Sequence, residues 1–222
     1  MKNNFHVLII DDHPLISKAY RETLEIVFED HSVDLRISEC QNIDETLSFM
    51  QSGKFEDIDL VFLDIKLPEA SDGTMISGED LGIKIRQKYD CKILISTTFN
   101  DNYRIYSIFK SIDPDGFMIK NDLTEKELFS AINGLIAGYP YYSKTVLELM
   151  RTAMNQDYYL DEIDRKILYE ISIGTKMKNL PKILPLSIAG IEKRKRNLKI
   201  LFNVEKEGDK GLILAAKEKG FL

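Results

Sequence analysis

Val7-Leu8-Ile9-Ile10-Asp11-Asp12-His13-Pro14 joins an unbroken apolar run to two adjacent acids and a proline. Phe5–Ile10 reads as a short, fully buried strand, because a β-branched run of this length is too brief for a helix and lacks the alternation of a half-buried edge. The strand delivers two carboxylates at its C-terminal end, and an amphipathic stretch over 14–28 follows at helical spacing.

The same alternation repeats up to about residue 137. Further strands are expected at Val33–Ser38, Asp59–Leu63, Lys92–Ser96 and Asp115–Ile119, with helices near 43–52, 79–89, 101–111 and 124–137. Five strands each followed by a helix predict an α/β, doubly wound, five-stranded parallel sheet, whose functional groups collect at the C-terminal strand edge. Gly138-Tyr139-Pro140 breaks the pattern. Tyr141 to Met154 then reads helical, and Asn155-Gln156-Asp157 as a flexible joint. Four helices without a strand are expected at about 160–173, 178–184, 187–202 and 209–219. The division expected is 1–137, a linker at 138–158, and a second, smaller all-α domain at 159–222.

Composition agrees with a folded protein. The 222 residues are 44% hydrophobic and 30% charged, too apolar for a wholly disordered chain. Apolar runs reach only four or five residues and the first residues lack a signal-peptide core, so no membrane span is expected. Cys40 and Cys91 show neither CxxC nor Cys/His spacing, which suggests no disulfide framework or zinc site and points to the cytoplasm. The net charge of −6 hides an asymmetry: residues 1–140 carry 25 acids against 14 bases, residues 141–222 carry 16 bases against 11 acids. The first half suits cation or phosphate-linked metal chemistry, the second a polyanion.

Three carboxylates fall at strand ends: Asp11 and Asp12 after the first strand, Asp64 after Leu60-Val61-Phe62-Leu63. Like charges gathered together cost stability unless a cation neutralises them, and a hard divalent ion, Mg2+, fits acids plus water and leaves room for a phosphoryl oxygen. Thr97 ends the fourth strand and Lys120 the fifth. A hydroxyl and an ammonium opposite three acids are the donors that a phosphorylated aspartate needs.

On these residues the chain, over about 4–137, resembles the receiver domain of two-component response regulators, a flavodoxin-like fold. The paired acids match Asp11-Asp12, the phosphoacceptor matches Asp64 in Leu-Asp-Ile-Lys-Leu-Pro, the switch hydroxyl Thr97, and the lysine Lys120. Phe117, three residues before the lysine, takes the place of the switch aromatic; Ser96 fits the hydroxyl position less well than Thr97. The resemblance implies Mg2+ held by Asp11, Asp12, Asp64 and the Lys66 backbone carbonyl, and a histidine kinase or small phosphodonor as the phosphoryl source. Two departures stand out. The loop after Pro68, Glu69 to Ser77, is longer than the family's usual turn and is expected to be a tolerated insertion rather than a cover over the site. Lys66 and Phe99, each two positions past Asp64 and Thr97, are expected to restrict the attacking water and slow loss of the phosphoryl group.

In the second domain, Ser187 is an N-cap candidate for Ile188–Phe202. At about 100° per residue, Ile188, Ile191, Leu198 and Phe202 share one face to be buried, while Ala189, Lys193, Arg196 and Asn197 point away. With Arg194 and Lys199 these are the candidate contacts to double-stranded DNA, since Lys and Arg suit phosphates or guanine and Asn suits adenine. The region resembles the helix-turn-helix output domain of the LuxR/NarL type, in a register where Gly174 marks a turn and Ile191 a buried position. Pro181 and Pro185 interrupt the scaffold helix, which is expected to be short or shifted. The last helix, with Leu212, Ile213 and Ala216, is expected either to dimerise or simply to pack.

The function read from these features is a two-component response regulator in which phosphorylation of Asp64 controls DNA binding and transcription. It is expected to be no enzyme beyond self-phosphorylation and dephosphorylation of Asp64, to act with a histidine kinase and DNA, to allow a homodimer, and to need no membrane. Two alternatives stand beside it. One is a receiver with an RNA- or protein-binding output; the other is an aspartyl-phosphate phosphatase, disfavoured because the second acid that chemistry wants is Lys66 here. No Gly-x-x-x-x-Gly-Lys loop occurs, so ATP is not expected as direct donor.

Overall fold

The structure, a computed structural model, describes residues 4–29, 33–99, 101–153 and 160–222, without the side chains of 102, 103, 152 and 153. The chain divides into two compact units, Met1–Asn100 with Ser111–Arg151, and Asp101–Lys110 with Thr152–Leu222.

The first unit is built on a parallel sheet of β1 (Asn4–Ile10), β2 (Asp34–Cys40), β3 (Leu60–Asp64), β4 (Lys92–Thr97), β5 (Gly116–Ile119) and β6 (Tyr141–Tyr142). Their spatial order is β2-β1-β3-β4-β5-β6. Central strands are covered on both faces, which is why β1 and β3 read as unbroken apolar runs: Val7 to Ile10 and Leu60 to Leu63 are almost wholly buried. The helices are α1 (Pro14–Glu29), α2 (Ile43–Gln51), α3 (Gly78–Lys88), α4 (Asn102–Ile112), α5 (Glu125–Ile136) and α6 (Lys144–Ala153), α4 passing into the second unit. On one side of the sheet, Tyr20, Leu24 and Val27 of α1 and Leu128, Ile132 and Leu135 of α5 form a core with Val7, Ile9, Phe62 and Leu94.

Strand order reverses between β1 and β3, the chain leaving β1 toward β2 on one side and β3 lying on the other. A crevice opens at such a switch point at the C-terminal strand ends. Asp11 and Asp64 sit there, with Ile10 paired to Leu63 and Asp64 to Ser96 in the parallel ladder.

Two expectations are corrected. The sheet has six strands, not five: Gly138, at φ +88°, reverses the chain after α5, and Tyr141 N–H and Ser143 N–H donate to the carbonyls of Asp115 and Phe117. A two-residue strand is too short to carry a periodic signal, so Tyr141 and Tyr142 were expected to be helical. Secondly, most of the expected linker belongs to the first unit. Asp122 accepts hydrogen bonds from Ser143 Oγ at 2.7 Å and Thr145 Oγ1 at 2.8 Å at the start of α6, and Val146 is fully buried. The joint expected at Asn155–Asp157 lies outside the described residues.

The second unit carries α7 (Glu162–Ser172), a 3-10 turn at Met177–Lys182, α8 (Ile188–Leu201) and α9 (Asp209–Glu218). The interrupted scaffold helix is that 3-10 turn, with Pro181 inside it. Leu168, Leu180, Ile191, Leu198, Phe202 and Leu212 fill the core. Ile188 does not join it: at the rim of the α8 stripe, one turn before Ile191, it is 44% exposed.

Candidate functional site

Buried carboxylates need partners, and the switch point supplies one. Lys120 leaves the end of β5 and reaches across β4, placing Nζ 2.6 Å from Asp64 Oδ2 and 2.7 Å from Asp11 Oδ2. Both acids are 1% exposed and the lysine 6%. The contact to Asp64 is a hydrogen bond; the one to Asp11 is an ion pair without hydrogen-bond geometry, so Asp11 Oδ2 keeps an unfilled acceptor. Burial raises the Asp64 carboxyl above its ordinary value, against the opposing pull of Lys120 and of the Lys66 backbone N–H, which donates to Asp64 Oδ1 at 2.8 Å. Asp12 turns outward and pairs with His13, whose Nδ1 lies 2.6 Å from Asp12 Oδ1 and 3.3 Å from Asp11 Oδ1.

Asp11, Asp12, His13 and Asp64 each present a donor atom, and the four lie within 4.8 Å of one another. Three acids against one ammonium leave a net charge near −2, which with the unfilled Asp11 acceptor suits a divalent cation. Thr97 is buried at the end of β4, one residue beyond the partner of Asp64, and accepts a hydrogen bond from Phe99 N–H at 3.3 Å. Phe117 is fully buried within β5, paired with Ile95.

The structure also brings in residues that the sequence reading passed over. Gly78, at the start of α3, packs so tightly beneath the end of β3 that a Cβ there would run into the Asp64 carbonyl oxygen. Tyr20 of α1 donates to Ser96 Oγ at 2.7 Å, and burial raises its phenol far above the ordinary value, to which the charges of Asp11 and Asp64 add. The loop after Pro68 turns back on itself, Ala70 N–H donating to Met75 O, and Ser71 is tied to Asp44 at the start of α2. Ala70 and Met75 are buried, which anchors the longer loop from inside.

The basic face of α8 sorts into two groups. Arg194 Nη1 lies 2.7 Å from Asp161 Oδ2 and 3.0 Å from Asp164 Oδ1, the two residues that cap α7. Lys199 Nζ donates to the Glu207 carbonyl at 2.7 Å, and Lys195 pairs with Asp209 at the start of α9. These cations fasten α8 to its neighbours, so Arg194 and Lys199, both candidate DNA contacts, are engaged within the unit. Ala189, Lys193 and Arg196 are exposed there, with Asn197 half-buried at its side and Glu192 exposed among them.

Comparison with known proteins supports both units. The nitrate/nitrite response regulator protein NarP of Escherichia coli (strain K12) is 25% identical over 207 residues, spanning 90% of this chain and 89% of its own. The transcriptional regulatory protein ComA of Bacillus subtilis (strain 168) is 25% identical over 228 residues, spanning 97% and 99%. Among solved structures, RcsB from Salmonella enterica serovar Typhimurium, bound to a promoter with phosphomimetic BeF3-, aligns with a TM-score of 0.59 at 20% identity over 96% of this chain and 98% of that one, a likeness of fold. Residues 7–133 match the response regulator receiver domain, more than half of the chain, and the chain belongs to that family.

Proposed function

We propose that the chain is a two-component response regulator that accepts a phosphoryl group on Asp64 and, in that state, binds double-stranded DNA to regulate transcription. The observation that carries this reading is Asp64 held in the switch-point crevice by Lys120, beside the acid pair Asp11-Asp12. In the reaction, an Asp64 carboxylate oxygen attacks phosphorus. The bond from phosphorus to the donor's histidine nitrogen or leaving oxygen breaks, and an acyl phosphate forms. Asp11, Asp12, Asp64 and the Lys66 carbonyl would hold Mg2+, which when bound would supply positive charge to offset the incoming phosphoryl oxygens. Lys120 follows the charge onto the product, and Thr97 offers its hydroxyl to a phosphoryl oxygen. Lys66 is exposed at the site mouth and Phe99 half-buried, which favours slow hydrolysis of the product.

Self-phosphorylation and dephosphorylation of Asp64 are the only chemistry assigned, with a histidine kinase as the partner supplying the phosphoryl group. The basic second unit, with Ala189, Lys193, Arg196 and Asn197 on the open side of α8, supports DNA as its ligand, bound by a homodimer on a two-fold symmetric site. Among the described residues no helix is long and apolar enough to cross a membrane, and the reading places the protein in the cytoplasm. Selection from a random duplex pool, with and without Mg2+ and beryllium fluoride, tests the reading. Enrichment of one sequence, stronger with beryllium fluoride and insensitive to it in Asp64→Asn, is expected; no enrichment in either state would overturn the DNA-binding output.

A further inference from the structure

We infer that Glu192 is a specificity-determining residue that reads the amino group of a cytosine in the target duplex. The inference rests on the DNA-binding reading above and deepens it. An acid on a helix face that meets a polyanion is repelled by every phosphate, so its presence there requires an account. Glu192 is exposed on the same side of α8 as Ala189, Lys193 and Arg196. At about 100° per residue it falls between Ile188 and Arg196 around the axis.

Two structural explanations fail. Glu192 lies beyond the first turn, Ile188–Ile191, where the helix dipole rewards an acid most. Nor is it a salt-bridge partner: among the described residues no ion pair or hydrogen bond engages its side chain. Of the neighbouring cations, Arg194 is held by Asp161 and Asp164 and Lys195 by Asp209, while Lys193 and Arg196 are exposed beside Glu192 without an ion pair to it. The local sequence thus surrounds an unpaired acceptor with bases and leaves it facing outward.

A carboxylate can only accept hydrogen bonds. In the major groove the donors are the cytosine N4 and adenine N6 amino groups, and the adenine amino group stands beside N7, an acceptor that repels a carboxylate. Cytosine carries no such acceptor on that edge. Arg196, one turn further along the same face, is placed to meet guanine O6 and N7, so the two side chains together select a G·C-containing step. Removing Glu192 then has opposite effects on two quantities: discrimination falls, while non-specific affinity rises because a repulsive charge is lost.

The test uses the full chain with Mg2+ and beryllium fluoride. A consensus duplex is first selected by the wild-type protein from a random pool. Each cytosine is then replaced in turn by a pyrimidin-2-one nucleotide, which lacks the N4 amino group, and wild type and Glu192→Ala are compared by fluorescence anisotropy. One replacement is expected to weaken the wild type about tenfold and Glu192→Ala less than about twofold. Glu192→Ala should also bind an unrelated duplex more tightly than the wild type does. A consensus in which no cytosine replacement matters, or equal losses in both proteins, would overturn the role of Glu192 while leaving DNA binding intact. Failure of the wild type to enrich any sequence would overturn the DNA-binding reading, and this inference with it.

Discussion

Lys120 Nζ stands 2.6 Å from Asp64 Oδ2, and this pair is nearly sealed from solvent. The ammonium also serves Asp11, so one cation offsets two buried acids. Lys120→Ala removes the only ammonium that the described residues bring to this cluster. A loss of about 3–5 kcal/mol is expected in urea unfolding, the range for leaving a buried charge unpaired. Adding Asp64→Asn should recover part of it, because one of the two repelling charges is then gone.

The raised Asp64 carboxyl gives a pH dependence of definite sign. Burial penalises the charged form, so the folded state holds its proton to a higher pH than the unfolded state does. As pH rises through the ordinary carboxylate range, the unfolded chain ionises first and the wild type loses stability from this group. Asp64→Asn lacks that penalty. Its melting temperature in metal-free buffer should exceed that of the wild type at pH 7, and the difference should shrink as pH falls toward the unfolded carboxyl value.

Gly78 is expected to tolerate no side chain. Gly78→Ala forces a Cβ against the backbone of Asp64, which cannot yield without moving the Asp64 carboxylate, the proposed phosphoacceptor. Thermal unfolding should show a loss of at least about 2 kcal/mol, and phosphorylation should slow as well. Gly73→Ala, on the exposed loop, is a useful control: its φ of +67° costs strain, but nothing lies near the added atom.

Much of this architecture was legible because the signals are local. A run such as Val61-Phe62-Leu63 followed by Asp64 announces both a buried strand and the acid at its end, and repeating that pattern at Asp11, Thr97 and Lys120 places four groups on one edge. Tyr141–Tyr142 was not legible, since its strand identity comes from the β5 edge it completes rather than from its own residues. Arg194 failed for a similar reason. Four consecutive bases look alike in sequence, and only the fold shows that Arg194 reaches the acids that cap α7. The role of Gly78 depends on a close approach fourteen residues from Asp64, which no spacing rule records.

Arg194 and Arg196 therefore separate structure from recognition. Arg194→Ala strips a partner from Asp164, which is 1% exposed, and should destabilise the second unit by about 1–3 kcal/mol. Arg196→Ala should leave the melting curve unchanged and weaken DNA binding. Thermal melts followed by anisotropy on the selected duplex distinguish them.

Asp64 is the group expected to accept the phosphoryl. Intact mass after incubation with Mg2+ and a small phosphodonor such as acetyl phosphate tests it directly. One phosphoryl adduct in the wild type, absent in Asp64→Asn and without Mg2+, is the predicted result. No adduct in the wild type, or the same adduct in Asp64→Asn, would contradict it.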